Sequence, residues 1–118
     1  MKDDLPKLSS LTGEQLSSVI FVADYVQFDF NGPCLTAISP PVVEGDGVRY
    51  KFPAPGSRDA LCSLIQQFVA GTVVQDGRSI EVTFDSGAQL SISLAADAHE
   101  GPEAATFSDP RVSGLLVW

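Results

Sequence analysis

Two stretches of this chain alternate apolar and polar residues with one period and nearly the same contents, which narrows its folds more than any other feature. Val26, Phe28 and Phe30 are separated by Gln27 and Asp29, and Ile80, Val82 and Phe84 by Glu81 and Thr83. Successive side chains of a strand point to opposite faces, so a period of two describes a strand buried on one side. Each stretch runs into a turn, Asn31-Gly32-Pro33 or Asp85-Ser86-Gly87, and then into a return strand at 35–38 or 90–94. With an offset of 54 positions, Val26, Phe28, Phe30, Thr36 and Ile38 match Ile80, Val82, Phe84, Leu90 and Ile92, and Asn31 matches Asp85. A glycine precedes each system, at Gly13 and Gly71. The pattern describes a duplicated antiparallel β-meander.

The other segments are read around that repeat. Leu61, Leu64, Ile65, Phe68 and Val69 fall on one face at helical spacing, with Asp59, Ser63, Gln66 and Gln67 opposite. Ser57 stands where an N-cap belongs and Gly71 where a helix stops, so an amphipathic helix is expected over 58–70. The expected fold class is therefore α+β: two repeated meanders forming a sheet, with this helix packed on it. Residues 1–10 read as a loosely held polar segment and 11–118 as one domain, with a single helical turn near 11–16 from the Thr12/Gln15 capping-box spacing. Pro40-Pro41 is expected to end sheet pairing, because proline donates no amide hydrogen. Glu44-Gly45-Asp46-Gly47 reads as a flexible loop, 97–103 as a polar connection, and 104–107 and 114–118 as short closing strands.

Charge carries the most information about function. Fifteen acidic against seven basic residues give a net charge of −8. Nucleic-acid binding needs a basic patch that displaces counterions from phosphates, and Lys2, Lys7, Arg49, Lys51, Arg58, Arg78 and Arg111 are scattered along the chain. Anionic membranes are disfavoured for the same reason, and a basic protein partner is favoured. Aspartates at positions 3 and 4 contradict a secretory signal, so a cytoplasmic location is expected. Cys34 and Cys62 lack Cys-x-x-Cys spacing and are expected to be reduced and mostly buried.

A resemblance enters through the second half. Phe84-Asp85-Ser86-Gly87-Ala88-Gln89-Leu90-Ser91-Ile92, then Glu103-Ala104, then Leu115-Leu116-Val117-Trp118 resemble a family of small bacterial proteins of unknown function, common in actinobacteria, with two such β-meander halves. The likeness spans residues 11–118 and departs from the family at Ala105, where an aromatic residue usually follows Glu-Ala. It implies the fold and carries no activity. In size and charge the chain is also similar to the immunity proteins that bacteria encode beside secreted toxins.

No catalytic motif stands out. His99 is the one histidine, set in Asp97-Ala98-His99-Glu100-Gly101-Pro102-Glu103. The cluster could offer an imidazole and carboxylates to a metal, but zinc and iron sites usually want two or more His or Cys ligands at fixed spacing. Phosphate-binding glycine loops and Gly-x-Ser-x-Gly are missing. The expectation is a non-enzymatic binding protein with no cofactor, which neutralises a basic toxin domain by occlusion. The expected contacts are Asp97, Glu100 and Glu103 on the late loop, Glu44 and Asp46 on the middle one, and Trp118 as an anchor that could equally cap the core. Two other readings stand beside it: a small-ligand or metal-assisted hydrolytic domain with a pocket between the meanders, and a homodimer formed through an exposed edge strand.

Overall fold

The computed structural model describes residues 6–98 and 101–118. The described residues form ten strands and one short α-helix: β1 (Ser18–Val22), β2 (Tyr25–Asp29), β3 (Cys34–Ala37), β4 (Val42–Gly45), β5 (Val48–Lys51), α1 (Ser57–Cys62), β6 (Val69–Gln75), β7 (Ser79–Phe84), β8 (Gln89–Ser93), β9 (Ala105–Ser108) and β10 (Leu116–Val117). They make two five-stranded antiparallel sheets, ordered β1-β2-β3-β9-β10 and β5-β4-β8-β7-β6. The alternating positions of the repeat are the buried ones: Val26, Phe28 and Phe30 in the first sheet, Ile80, Val82 and Phe84 in the second, all at most 1% exposed. Both sheets line a single core.

The duplication is real, and its topology is an exchange. Each half contributes a three-stranded meander, β1-β2-β3 or β6-β7-β8. The hairpin β4-β5 leaves its own meander and pairs with β8, and β9-β10 likewise pairs with β3. The two halves are thus related by an approximate two-fold, and neither completes a sheet alone. Pro40-Pro41 marks the point where the chain crosses from one sheet to the other rather than a final stop to pairing, and Phe52 N donates to the Pro41 carbonyl beside β4. One sheet was the expectation; two result because the exchanged hairpins widen each meander separately.

The repeat is also longer than the strand pattern shows. The 3-10 turn Leu8–Leu11 corresponds to Leu61-Cys62-Ser63-Leu64, and all four leucines are buried. Gly13 and Gln66, at matching places, both have left-handed φ, 88° and 81°. The matching residues Gln15 and Phe68 form a β-bridge to one another, as positions beside a two-fold axis can. Gln66 N donates to the Leu16 carbonyl and Leu16 N to the Gln67 carbonyl. The second return strand sits one position later than the simple offset places it. Phe30 N closes its turn on the Pro33 carbonyl, whereas Phe84 N reaches Ala88 across a turn one residue longer. Hence Leu35 and Ala37, not Thr36 and Ile38, are the buried counterparts of Leu90 and Ile92.

The expected helix over 58–70 is corrected most. Helix α1 has six residues and ends at Cys62. Leu61 and Leu64 are buried as the helical spacing requires, but Phe68 is 46% exposed and Val69 opens a seven-residue strand. An isolated helix of this length is marginal, and pairing with the Gln15–Leu16 segment outcompetes its extension. Ser57 is not the N-cap: Gly56 holds that position, and the Ser57 hydroxyl is buried without a partner among the described residues. The helical turn falls at Leu8–Leu11 rather than 11–16. Cys34 and Cys62 are both free, Cys34 half-buried but Cys62 exposed, because the early end of α1 leaves its side chain in solvent.

Candidate functional site

Helix α1 is fastened at an angle that leaves space beneath it. The Arg58 guanidinium lies 5.0 Å from the Phe52 ring centre and 5.8 Å from that of Phe21, and these two rings stack 5.8 Å apart. These contacts tie the start of the helix to β1 and to the end of β5. The rest of the helix faces the β4-β5 hairpin. Glu44-Gly45-Asp46-Gly47 is no flexible loop: Glu44 belongs to β4, and Asp46 and Gly47, with φ of 53° and 77°, form a two-residue turn of the kind that matches strand twist.

Between helix and hairpin lies a cleft of about 650 Å3, closed at its far end by the β7-β8 turn. Val43, Leu64, Ala60 and Ala88 supply apolar surface, Tyr50 an aromatic wall, and Ser63, Gln67 and Ser86 hydrogen-bonding groups. Ser86 Oγ donates to Gln67 Oε1 at 2.5 Å, which joins the β7-β8 turn to the segment after α1. Among the described residues two carboxylates line the cleft, Asp46 from the hairpin turn and Asp59 from the helix, and no lysine or arginine does. Tyr50 owes its position to Gly56: a Cβ there would sit 2.9 Å from Tyr50 Cε1.

A second concavity, about 400 Å3, lies on the outer face of the β5-β4-β8-β7-β6 sheet. Arg49, Lys51 and Arg78 share it with Glu44 and Glu81, so three of the basic residues read as scattered converge there. Glu81 accepts a hydrogen bond from Gln89 Nε2 at 3.1 Å.

The residues singled out from sequence do not form one face. Asp46 lines the cleft, whereas Glu44 is exposed on the opposite side of the same hairpin, in the mixed-charge trough. Asp97 is exposed on a 3-10 turn, Ala96–Ala98, and Glu103 is exposed before β9. Glu100 and His99 lie outside the described residues. Trp118 is half-buried against the core, and its main chain pairs with Ala104 and Ala105. Asp59 is the residue that sequence reading missed, since helical spacing merely places it on the solvent side. Among the described residues, no three His, Cys, Asp or Glu side chains group so as to hold a metal ion. Burial pushes the Cys34 thiol up, against the Thr36 hydroxyl 3.9 Å away, so this sulfur is held as a thiol rather than a reactive thiolate.

One ion-pair network is prominent. Asp109 is 5% exposed and takes Arg111 in a fork, Nε to Oδ1 and Nη2 to Oδ2, both at 2.9 Å, while Arg111 Nη1 reaches Glu14 Oε2 at 3.2 Å. The side-chain bonds from Arg111 hold the Asp109 carboxyl below its usual range, against the opposing effect of burial. A carboxyl whose pKa is depressed on folding stabilises the fold above its unfolded value, near 4, and loses that contribution as pH falls through the folded value. Asp109→Asn is therefore expected to lower stability by about 0.5–1.5 kcal/mol near neutral pH, since solvent screens the half-exposed Arg111 partner. The gap between variant and parent should begin to shrink as pH falls below about 4 and go on shrinking with further acidification, in urea titrations at several pH values. A constant gap would contradict this account.

No helix among the described residues is long and apolar enough to cross a membrane. Comparison with protein-family models, with curated proteins and with solved structures finds no match to this chain.

Proposed function

We propose that this chain is a non-catalytic binding protein that occludes a basic protein partner, in the manner of a bacterial immunity protein acting in the cytoplasm on a toxin domain. The observation that carries the reading is the cleft beneath α1, a concave site lined among the described residues by two carboxylates and no basic side chain, on a chain of net charge −8. Negative charge of this size steers a basic partner toward the surface, and the cleft offers one place for an anchoring group to be desolvated. Exposed Asp97 and Glu103 extend the anionic surface that such a partner meets. The direct test is to express the product of the neighbouring gene and titrate it against this chain by calorimetry. Binding should weaken about tenfold or more between roughly 50 mM and 300 mM salt, as screening removes the steering. No binding at physiological salt would end the reading.

A second reading, a small-ligand site, is favoured by the cleft's volume, which lies within the range of roughly 300–1,000 Å3 found for such pockets. The cleft also lies where the two halves meet, since β4 and β5 come from the first and the end of α1 and the β7-β8 turn from the second.

A further inference from the structure

Each sheet of the fold has two edges, and the four are guarded unequally. A bare edge strand is a template for pairing, which proteins blunt with charge, shortness or a covering element. Edge strand β5 carries Arg49 and Lys51, and β10 has only two residues. On β1 the Phe52 ring and the Arg58 guanidinium lie against Phe21. Strand β6 is the longest of the ten described and has no charged residue and no proline. Val73 and Val74 are 49% and 37% exposed there.

Hydrogen bonds define which part of that edge is open. Gly13 N donates to the Val69 carbonyl and Val69 N to the Glu14 carbonyl, so the start of β6 is already occupied. At the other end Arg78 N closes the hairpin turn on the Gln75 carbonyl. Leu94 N donates to the Arg78 carbonyl and Phe84 N to the Ala88 carbonyl, which turns the main chain of Arg78 and Phe84 toward β8. By alternation Ser79, Glu81 and Thr83 bond toward β6, where their partners are Gln75, Val73 and Gly71. The main-chain groups of Thr72 and Val74 therefore face outward, and among the described residues no strand or loop pairs with them.

We infer that residues 71–75 of β6 pair antiparallel with the same residues of a second copy of this chain, about a two-fold axis at Val73. The stretch complements itself. With Val73 opposite Val73, Thr72 meets Val74 of the other copy at both hydrogen-bonded positions, and Gln75 meets Gly71. The open length of each copy fits that of the other, and no charge stands opposite a charge. Val73 falls at the non-bonded position, where side chains approach most closely, so the two exposed valines cover one another. Glu81, beside Val73 on β7, lies three strand spacings from its counterpart, about 14 Å, which exceeds the Debye length of about 8 Å at physiological salt. So short a ladder makes a small interface, and a dissociation constant on the order of 100 μM is expected. Strand β6 lines no part of the cleft beneath α1, so this pairing stands apart from the binding-protein reading.

Sedimentation equilibrium of the full chain from roughly 10 μM to 1 mM, with amide hydrogen exchange beside it, is the test. A monomer–dimer equilibrium is expected. It should tighten between roughly 50 mM and 300 mM salt, as screening relieves repulsion between two chains of charge −8. Partner binding should weaken over the same range, so each reading can fail without the other. Exchange at the Thr72 and Val74 amides should slow about fivefold at ten times the dissociation constant, where about one fifth of the chains are monomers. Val73→Lys sets like charges at the closest pair and should weaken the dimer more than about tenfold, with the urea midpoint little changed because the side chain is half-exposed. Ile20→Lys, at an exposed position on edge strand β1, should leave the dimer intact. A monomer at every concentration, a dimer that survives Val73→Lys or is lost in Ile20→Lys, or assembly beyond a dimer overturns the inference. Protection of the Thr72 and Val74 amides only when the neighbouring gene's product is added also overturns it, and makes another protein the occupant.

Discussion

Phe28→Ala is expected to remove about 3–5 kcal/mol of stability, the largest single-residue loss in this chain, because the removed ring leaves a cavity that a two-sided core cannot collapse. Phe28 is fully buried on β2, pairing with Val19 of β1 on one side and Leu35 of β3 on the other. A domain of this size has about 5–15 kcal/mol in total, so the variant should lie near the limit of folding. With an m value of about 1–2 kcal/mol per molar urea, the unfolding midpoint should fall by about 1.5–5 M with an unchanged slope. Ile20→Ala on neighbouring β1 is the control: that side chain is 43% exposed, and its loss should cost about 0.5 kcal/mol or less. Equal losses for the two would mean that the core does not lie where the two sheets place it.

Gly56→Ala should be nearly as damaging, for two independent reasons. Gly56 has φ of 85°, a left-handed conformation that costs an L-residue about 1–2 kcal/mol. Its new Cβ would also meet Tyr50 Cε1 at 2.9 Å, and overpacking of this kind typically costs about 1–3 kcal/mol. A total loss of about 2–5 kcal/mol follows, measurable by the same urea titration. The variant separates the two causes when paired with Tyr50→Leu, which removes the ring edge that the methyl meets. In that background the added cost of Gly56→Ala should fall to the strain component alone. If the cost is the same in both backgrounds, Gly56 does not set the position of Tyr50. The single variant should also displace the aromatic wall of the cleft.

These two positions differ in how far the sequence announces them. Phe28 belongs to an alternation that only a half-buried strand produces, and its burial could be read directly. So could the turns after β2 and β7, whose Asn-Gly and Asp-x-Gly residues favour the backbone reversal that the strands need. The duplication was legible as well, although the one-residue difference between its turns was hidden, because a single inserted position leaves the alternation on each strand intact. Gly56 and Asp59 were not legible as parts of a site. Nothing in Pro53-Ala54-Pro55-Gly56 announces that Tyr50 will lie against the glycine, and helical spacing treats Asp59 as one more solvated charge.

The misread helix shows where local signals stop. Leu61, Leu64, Ile65, Phe68 and Val69 have a helix's spacing, but half of that segment pairs with residues about fifty positions earlier in the chain, around the two-fold. The Asp46-Gly47 turn was available as a hairpin signal, yet β4 could be placed only once its partner β8 was known. By itself, then, the sequence determined the strand character and buried faces of β2, β7 and β8, the internal repeat and the anionic surplus, because each follows from the order of side chains along a few consecutive residues. The tertiary structure alone decided the exchange of hairpins, the early end of α1 and the cleft with its two carboxylates. Those depend on pairings between distant segments, and the free energy of such a pairing belongs to both partners at once, so neither segment's own residues can reveal it.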